Sequence, residues 1–203
     1  ARSVEAGVTS WITIGTEPGE QETVVEFAEK YDDVYAVIGY HPHEAKSVTD
    51  DDLSLLEKLS SHPKVVGIGE TGLDYFYDYS PREIQRNLFR RQLEIAADKS
   101  LPVVIHTRNA FEESMEILDE YRSSLPNVVI HCFSGNEEQV KFVLERGYHV
   151  SFTGIVTFKN AEDCRKAAKL VPLDRLMVET DAPFISPVPV RNKRPCEPAL
   201  MVH

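Results

Sequence analysis

Cysteine is scarce in this chain: Cys132, Cys164 and Cys196 are the whole set, and they stand far apart. An odd, dispersed set excludes a disulfide framework and fits free thiols in a reducing compartment. Long apolar runs are missing as well. No segment approaches the roughly 18 unbroken apolar residues that cross a bilayer, and the opening ARSVEAGV lacks the apolar core of a secretory signal. A soluble, cytoplasmic protein without a membrane partner is the expectation. Basic residues are outnumbered too, with 22 Lys and Arg against 33 Asp and Glu and a formal net charge of −11. That balance opposes non-specific binding to nucleic acid, which rests on Lys and Arg neutralising phosphates. A phosphate substrate would therefore need local cations, and metal ions are their most direct source.

What the chain does have is a core and a rhythm. Its 203 residues, 42% of them hydrophobic, suffice for one domain. Short β-branched runs alternate with longer stretches of helical spacing. The predicted strands are VTSWITIG, VYAVIGY, VVGIGE, PVVIH, NVVIH, YHVSFTG and RLMVET. Helices are expected over Glu20–Tyr31, Asp51–Ser60, Pro81–Lys99, Ala110–Tyr121, Glu137–Arg146 and Ala161–Leu170. Ser80-Pro81-Arg82-Glu83 reads as a capping box, Asn136 and Asn160 as caps of later helices, and Gly147 as a helix stop. Ile84, Leu88, Leu93 and Ala96 mark the buried stripe of the longest helix.

Apolar strands alternating with helices mean a parallel α/β sheet, because parallel neighbours need crossovers and the crossover helices cover both faces. A doubly wound sheet and a closed TIM-type (β/α) barrel compete for this pattern. The polar residues favour the barrel, since ionisable groups stand at the carboxyl ends of several strands: His41, Glu70, His106, His131 and Asp181. In a barrel those ends converge on one mouth, whereas a flat sheet scatters them. Singly, a strand-end histidine or acid is often structural. Nothing in folding asks successive buried strands to finish this way, so the set is the signal.

Two imidazoles and two carboxylates suit Zn²⁺, Mn²⁺ or Fe²⁺ better than Ca²⁺, with Mg²⁺ also compatible. A metal bound there would acidify a water, and Asp181 beside it could accept the proton, which is hydrolysis in general form. His43 lies in a mouth loop suited to substrate contact, while His62 and His149 read as structural. Tyr75, Phe76, Tyr77 and Tyr79 follow the Glu70 segment and either stack on bases or close the loop over the core. Arg191, Lys193 and Arg194 form the dense basic group, suited to phosphates or to plain solvation.

Five motifs carry a resemblance: Gly39-Tyr40-His41-Pro42-His43, Gly69-Glu70-Thr71-Gly72-Leu73-Asp74, Ile105-His106-Thr107-Arg108, His131-Cys132-Phe133-Ser134-Gly135 and Glu179-Thr180-Asp181-Ala182-Pro183. In this order they resemble the TatD family of metal-dependent deoxyribonucleases among the amidohydrolase-like barrels. The resemblance implies a hydrolase using two divalent ions (Zn, Mn or Mg) to cut DNA, in the manner of an exonuclease on single-stranded ends. Glu70 would bridge the ions, His106 and His131 would complete one, and Asp181 would contact the other. His41 would lie beside the scissile phosphate, and His43, Arg108 and Lys193 are the expected substrate contacts. The family's opening Asp-x-His-x-His strand is not in this sequence, and its Arg-Asn-Glu-Pro segment is replaced by Pro195-Cys196-Glu197-Pro198. On this reading residues 1–203 are one barrel domain, incomplete at both ends, with seven of eight strands and without the first strand and last helix. Two alternatives stay open: a metal-dependent ester or amide hydrolase on the same barrel, and a catalytically silent scaffold.

Overall fold

Seven runs rich in Val and Ile and flanked by turn residues become strands. A computed structural model describes all residues 1–203, and in it the chain falls into two compact units. The first unit is Ser10–Val128; the second joins Ala1–Thr9 to Val129–His203.

In the first unit, β1 (Trp11–Gly15), β2 (Val34–Ile38), β3 (Val65–Asp74) and β4 (Val103–Arg108) pair in chain order and in parallel. Between them run α2 (Gln21–Glu29), α3 (Asp50–Leu59) and α4 (Arg82–Lys99), with α5 (Phe111–Glu120) after β4. The second unit opens on the short α1 (Arg2–Glu5) and holds β5 (Val128–Ile130), β6 (His149–Phe152) and β7 (Leu176–Val178), again parallel and in chain order. Its helices are α6 (Glu137–Glu145) and α7 (Glu162–Ala168). Strand and helix alternate as in a TIM-type α/β barrel, and that is the fold class of the chain.

All seven predicted strands and six predicted helices are present, with ends shifted by a few residues. Four details differ, each for a physical reason. First, β3 runs past Glu70 to Asp74, although Gly69 and Gly72 interrupt its β-branched pattern. Both glycines have positive φ, 150° and 140°, and a Cβ on Gly72 would run into the His106 carbonyl. Close approach of β3 to β4 therefore needs glycine there. Second, Ser80 does not cap α4; its hydroxyl accepts from Lys46 N at 3.1 Å and donates to His43 O at 2.7 Å. It ties the His43 loop instead. Third, Asn160 makes no cap bond to α7, which starts after Ala161, whereas Asn136 forms a full capping box with Gln139 on α6. Fourth, Ile84 is largely exposed, and the buried stripe of α4 is Gln85, Leu88, Phe89, Gln92, Leu93 and Ala96.

Two buried glutamines in that stripe look wrong for a hydrophobic face, and burial of an unpaired amide would be costly. They are fully satisfied. Gln92 accepts from Tyr40 N at 2.7 Å and donates to Tyr40 O at 2.9 Å and to Thr71 Oγ1 at 2.7 Å. Gln85 accepts from Asp74 N at 2.9 Å and donates to Asp74 O at 3.2 Å and Ser80 O at 2.8 Å. From α2, Gln21 does the same for Gly39, accepting from its N–H at 3.2 Å and donating to its C=O at 2.7 Å. Where β2 and β3 run out of ladder partners, helix side chains supply them. The residues that follow, His41 and the loop after Asp74, leave the sheet from fixed points.

Candidate metal centre

Glu70 of β3 and His106 of β4 project together with His41, which follows β2. One ligand atom from each of the three lies within 4.8 Å of the other two. His106 Nδ1 is 2.9 Å from Glu70 Oε1, and its other nitrogen, Nε2, is 3.0 Å from Asp74 Oδ2. Burial disfavours the charged imidazolium of His106, but the bonds to Asp74 and Glu70 outweigh it, so its pKa is raised. Asp74 is fully buried. Burial pushes its carboxyl up, yet donation from His106, from the backbone N–H of Tyr77 and from His43 holds it well below the usual carboxylate range.

This arrangement fits a cation. One imidazole nitrogen faces a second acid ligand, while the other is held by a carboxylate that fixes ring orientation and tautomer, the pattern that supports metal-ligating histidines. Soft sulfur ligands are absent from the cluster, and the nitrogen and oxygen donors suit Zn²⁺ or Mn²⁺.

His41 plays a different part. Its Nδ1 accepts the backbone N–H of His43 at 3.2 Å, which leaves the ring proton on Nε2, 3.7 Å from Glu70 Oε1. Burial above all, and then the neighbouring His106 and His43, lower its pKa to about 3 against the pull of Glu70 and Asp74. A neutral ring with Nε2 protonated donates a hydrogen bond at that nitrogen and has no lone pair for a metal there. The geometry thus gives His41 a donor's role within the cluster. His43 Nε2 is 2.9 Å from Asp74 Oδ2, so this expected substrate contact is first of all a strut of the site.

Beside the cluster the chain turns through Tyr75, Phe76, Tyr77 and Tyr79. Asp74 Oδ1 accepts from the N–H of Phe76 at 3.0 Å and of Tyr77 at 2.9 Å, so one carboxylate holds both the loop and His106. Tyr75 turns aside, its hydroxyl 2.6 Å from Glu113 and its ring under Arg82. The other three rings are exposed, at 55%, 44% and 56% for Phe76, Tyr77 and Tyr79. Arg108, at the end of β4, places its guanidinium 4.1 Å from the Phe76 centroid and 4.7 Å from that of Tyr77.

The second unit carries its own acid-held histidine. His131 directly follows β5, and its Nδ1 is 2.8 Å from Glu179 Oε2, while Nε2 is 3.6 Å from Asp181 Oδ1. The other Glu179 oxygen accepts the N–H of Cys132 at 2.8 Å. Burial raises the Glu179 pKa, but the bonds from His131 and Cys132 bring it below the usual range. Here too one nitrogen is fixed by a carboxylate and the other faces a second acid. The Cys132 thiol is pushed up to about 12, chiefly by burial, and contacts Thr153 Oγ1 at 3.2 Å.

The basic group separates into two kinds of residue. Lys193 is 3.0 Å from Glu197, a carboxylate it shares with Arg2. Arg191 lies 3.5 Å over the Phe158 ring and, with Arg194, Phe184 and Ser186, lines a cavity of about 370 Å³. Sequence reasoning assigned no role to Asp74, Glu179 or the three glutamines. Polar residues at core positions of a helical stripe were the available signal for Gln85 and Gln92.

Comparison with known proteins bears on the site. The family described as TatD related DNase matches residues 1–203. A Bacillus subtilis protein, the uncharacterized metal-dependent hydrolase YabD, is 42% identical over 90% of this chain and 72% of its own length. The 3'-5' ssDNA/RNA exonuclease TatD of Cronobacter turicensis is 36% identical over 100% of this chain and 79% of its own. Among solved structures, YjjV, a TatD homologue from Escherichia coli, superposes with a TM-score of 0.92 at 32% identity, covering 98% of this chain and 77% of that one. The chain therefore belongs to the TatD related DNase family and is a metal-dependent hydrolase.

Proposed function

We propose that the protein hydrolyses phosphodiester bonds of DNA with two divalent ions, as an exonuclease acting on single-stranded ends. The observation that carries this reading is His106, held by Asp74 on Nε2 and facing Glu70 with Nδ1. The relative in Cronobacter turicensis, named for ssDNA and RNA exonuclease activity, supports the choice of substrate. We assign Glu70, His106, His131 and Asp181 as the ligands, with Zn, Mn or Mg as the ions. Divalent ions held there would acidify a water and offset phosphate charge in a chain whose own net charge is −11.

The protein's residues supply the rest. Asp181 receives the proton of the attacking water on its carboxylate. His41, neutral with Nε2 protonated, donates to a phosphate oxygen and does not act as a base at that nitrogen. Arg108 has the better claim to substrate contact, since Lys193 is paired with Glu197 and His43 with Asp74. Cytoplasmic residence belongs to the same reading: Cys132, Cys164 and Cys196 are free, and no helix is long and apolar enough to cross a membrane.

The test is hydrolysis by metal-replete protein of end-labelled single-stranded DNA, the matching RNA, and a simple carboxylate ester, with metal content measured in parallel. DNA shortened from one end, abolished by a chelator and restored by a divalent ion, is the expected result. Ester turnover with intact DNA would move the protein to the ester-hydrolase class.

A further inference from the structure

The exposed rings beside the cluster pack on one another, on His43 and on Arg108, and still leave about half of their surface to solvent. Phe76, Tyr77 and Tyr79 are each about half exposed, within four residues of one another, in a loop that could have been polar. Tyr77 and Tyr79 are stacked, with centroids 5.2 Å apart and planes at 24°. Arg108 covers Phe76 and Tyr77 and has no carboxylate partner, so its charge stays available. The loop is also pinned. Asp74 holds the N–H of Phe76 and Tyr77, and the buried Ser80 holds the neighbouring His43 loop.

The position of this shelf is set by the same groups that set the cluster. Tyr77 lies 5.3 Å from the His43 ring, and His43 lies 4.2 Å from His41 and 6.3 Å from His106. One side chain separates the exposed rings from the residues that face the cluster. Tyr77 and Tyr79 lie nearly parallel, Phe76 stands edge-on to Tyr77 at 87°, and the Arg108 guanidinium lies over Phe76 and Tyr77. Exposed ring faces and a guanidinium plane are what an unpaired base stacks on, and such stacking tolerates any base because each has a π-face. A base buried inside a duplex offers no free face to it.

We propose that Phe76, Tyr77, Tyr79 and Arg108 form a stacking subsite for an unpaired nucleobase next to the phosphodiester being cut. The proposal rests on the phosphodiesterase reading above and adds the part of the substrate that is recognised: the base of a neighbouring nucleotide, held by its face rather than its edge.

The experiment pairs removal of rings with removal of bases. Metal-replete wild type and a Phe76→Ala/Tyr77→Ala variant are titrated with a fluorescein-labelled single-stranded DNA and with the same strand carrying abasic residues at its last positions. The rings are exposed, so the variant loses little packing, and its melting curve checks this. Wild type should bind the intact strand on the order of tenfold more tightly than the abasic one. The variant should bind both at the weaker level, and Tyr77→Trp should keep the preference. In the cleavage arm, the variant should show raised KM on intact DNA with kcat little changed.

Equal affinity of wild type for the two strands, or an equal loss by the variant on both, overturns the subsite. Binding is read without turnover, which keeps the two ideas apart. Base-dependent binding without cleavage leaves the shelf standing and removes the phosphodiesterase. Cleavage without base dependence does the reverse.

Discussion

Asp74 Oδ2 lies 3.0 Å from His106 Nε2, on the side of the ring away from Glu70, so the carboxylate decides which imidazole nitrogen is free to face the cluster. With its partner in place the neutral ring presents Nδ1 and keeps its proton on Nε2. Without it, either tautomer and a range of ring rotations become available.

Asp74→Asn should therefore weaken metal binding while leaving the fold intact, because asparagine fills the same space but lacks the charge. Loss of such an outer partner typically costs about 10- to 100-fold in metal affinity. Titration of metal-free protein with Zn²⁺ or Mn²⁺, followed by calorimetry, measures it. An unchanged dissociation constant would mean that packing alone orients His106.

The stability of the metal-free protein should peak in mildly acidic solution. The folded pKa of Asp74 is depressed, so its contribution is present above the unfolded value of about 3.9 and is lost as pH falls through the folded value. The folded pKa of His106 is raised, so its contribution is full below about 6.5 and is lost as pH rises through the folded value. Between these limits both groups stabilise. Thermal melts across this range should show the maximum, and Asp74→Asn should flatten it on both sides; equal flanks in the two proteins would count against the coupling.

Asp181→Asn and His41→Ala should fail in different ways. An acid that accepts the water's proton matters chiefly in the transition state, so Asp181→Asn should lower single-turnover cleavage by about 10²- to 10⁴-fold, with DNA binding nearly retained. In the role proposed for it His41 donates to the phosphate in both the ground and the transition state, so His41→Ala should lose affinity as well as rate. Cleavage of a labelled oligonucleotide, with metal content determined for each variant, separates them. Near-normal turnover by metal-loaded Asp181→Asn would remove it from the role of proton acceptor.

Gln92→Leu keeps the volume of a core side chain but strands the Tyr40 backbone groups and the Thr71 hydroxyl. Each buried polar group left without a partner costs about 1–3 kcal/mol, which exceeds the small gain from a more apolar side chain. Urea unfolding should show a loss of several kcal/mol with an unchanged slope. A neutral effect would show that water replaces the amide.

Strands and helices were legible because each is written in a local pattern. Val65–Ile68 and Val103–Ile105 announce strands by composition, and α4 announces itself by helix-forming residues without interior Gly or Pro. Of the acids and imidazoles that end the strands, His41, Glu70 and His106 come together, and His131 lies near Asp181. What stayed hidden was who holds whom. Asp74 stood only as the last residue of its motif and Glu179 as the first of its own, because a bond between positions 74 and 106 or 131 and 179 leaves no trace in periodicity. Tyr75 likewise could not be told from Tyr77 until Glu113 was seen to hold its hydroxyl.

Cys132 sits next in sequence to His131, yet its thiol is kept protonated by burial and occupied by Thr153. The thiolate is the form that captures cadmium, mercury or cuprous ions and that oxidants attack. A sulfur stationed beside an imidazole is thus kept largely in its less reactive protonated form. The consequence is a sluggish thiol: at neutral pH little thiolate stands beside His131, so alkylation and oxidation at Cys132 should be slow.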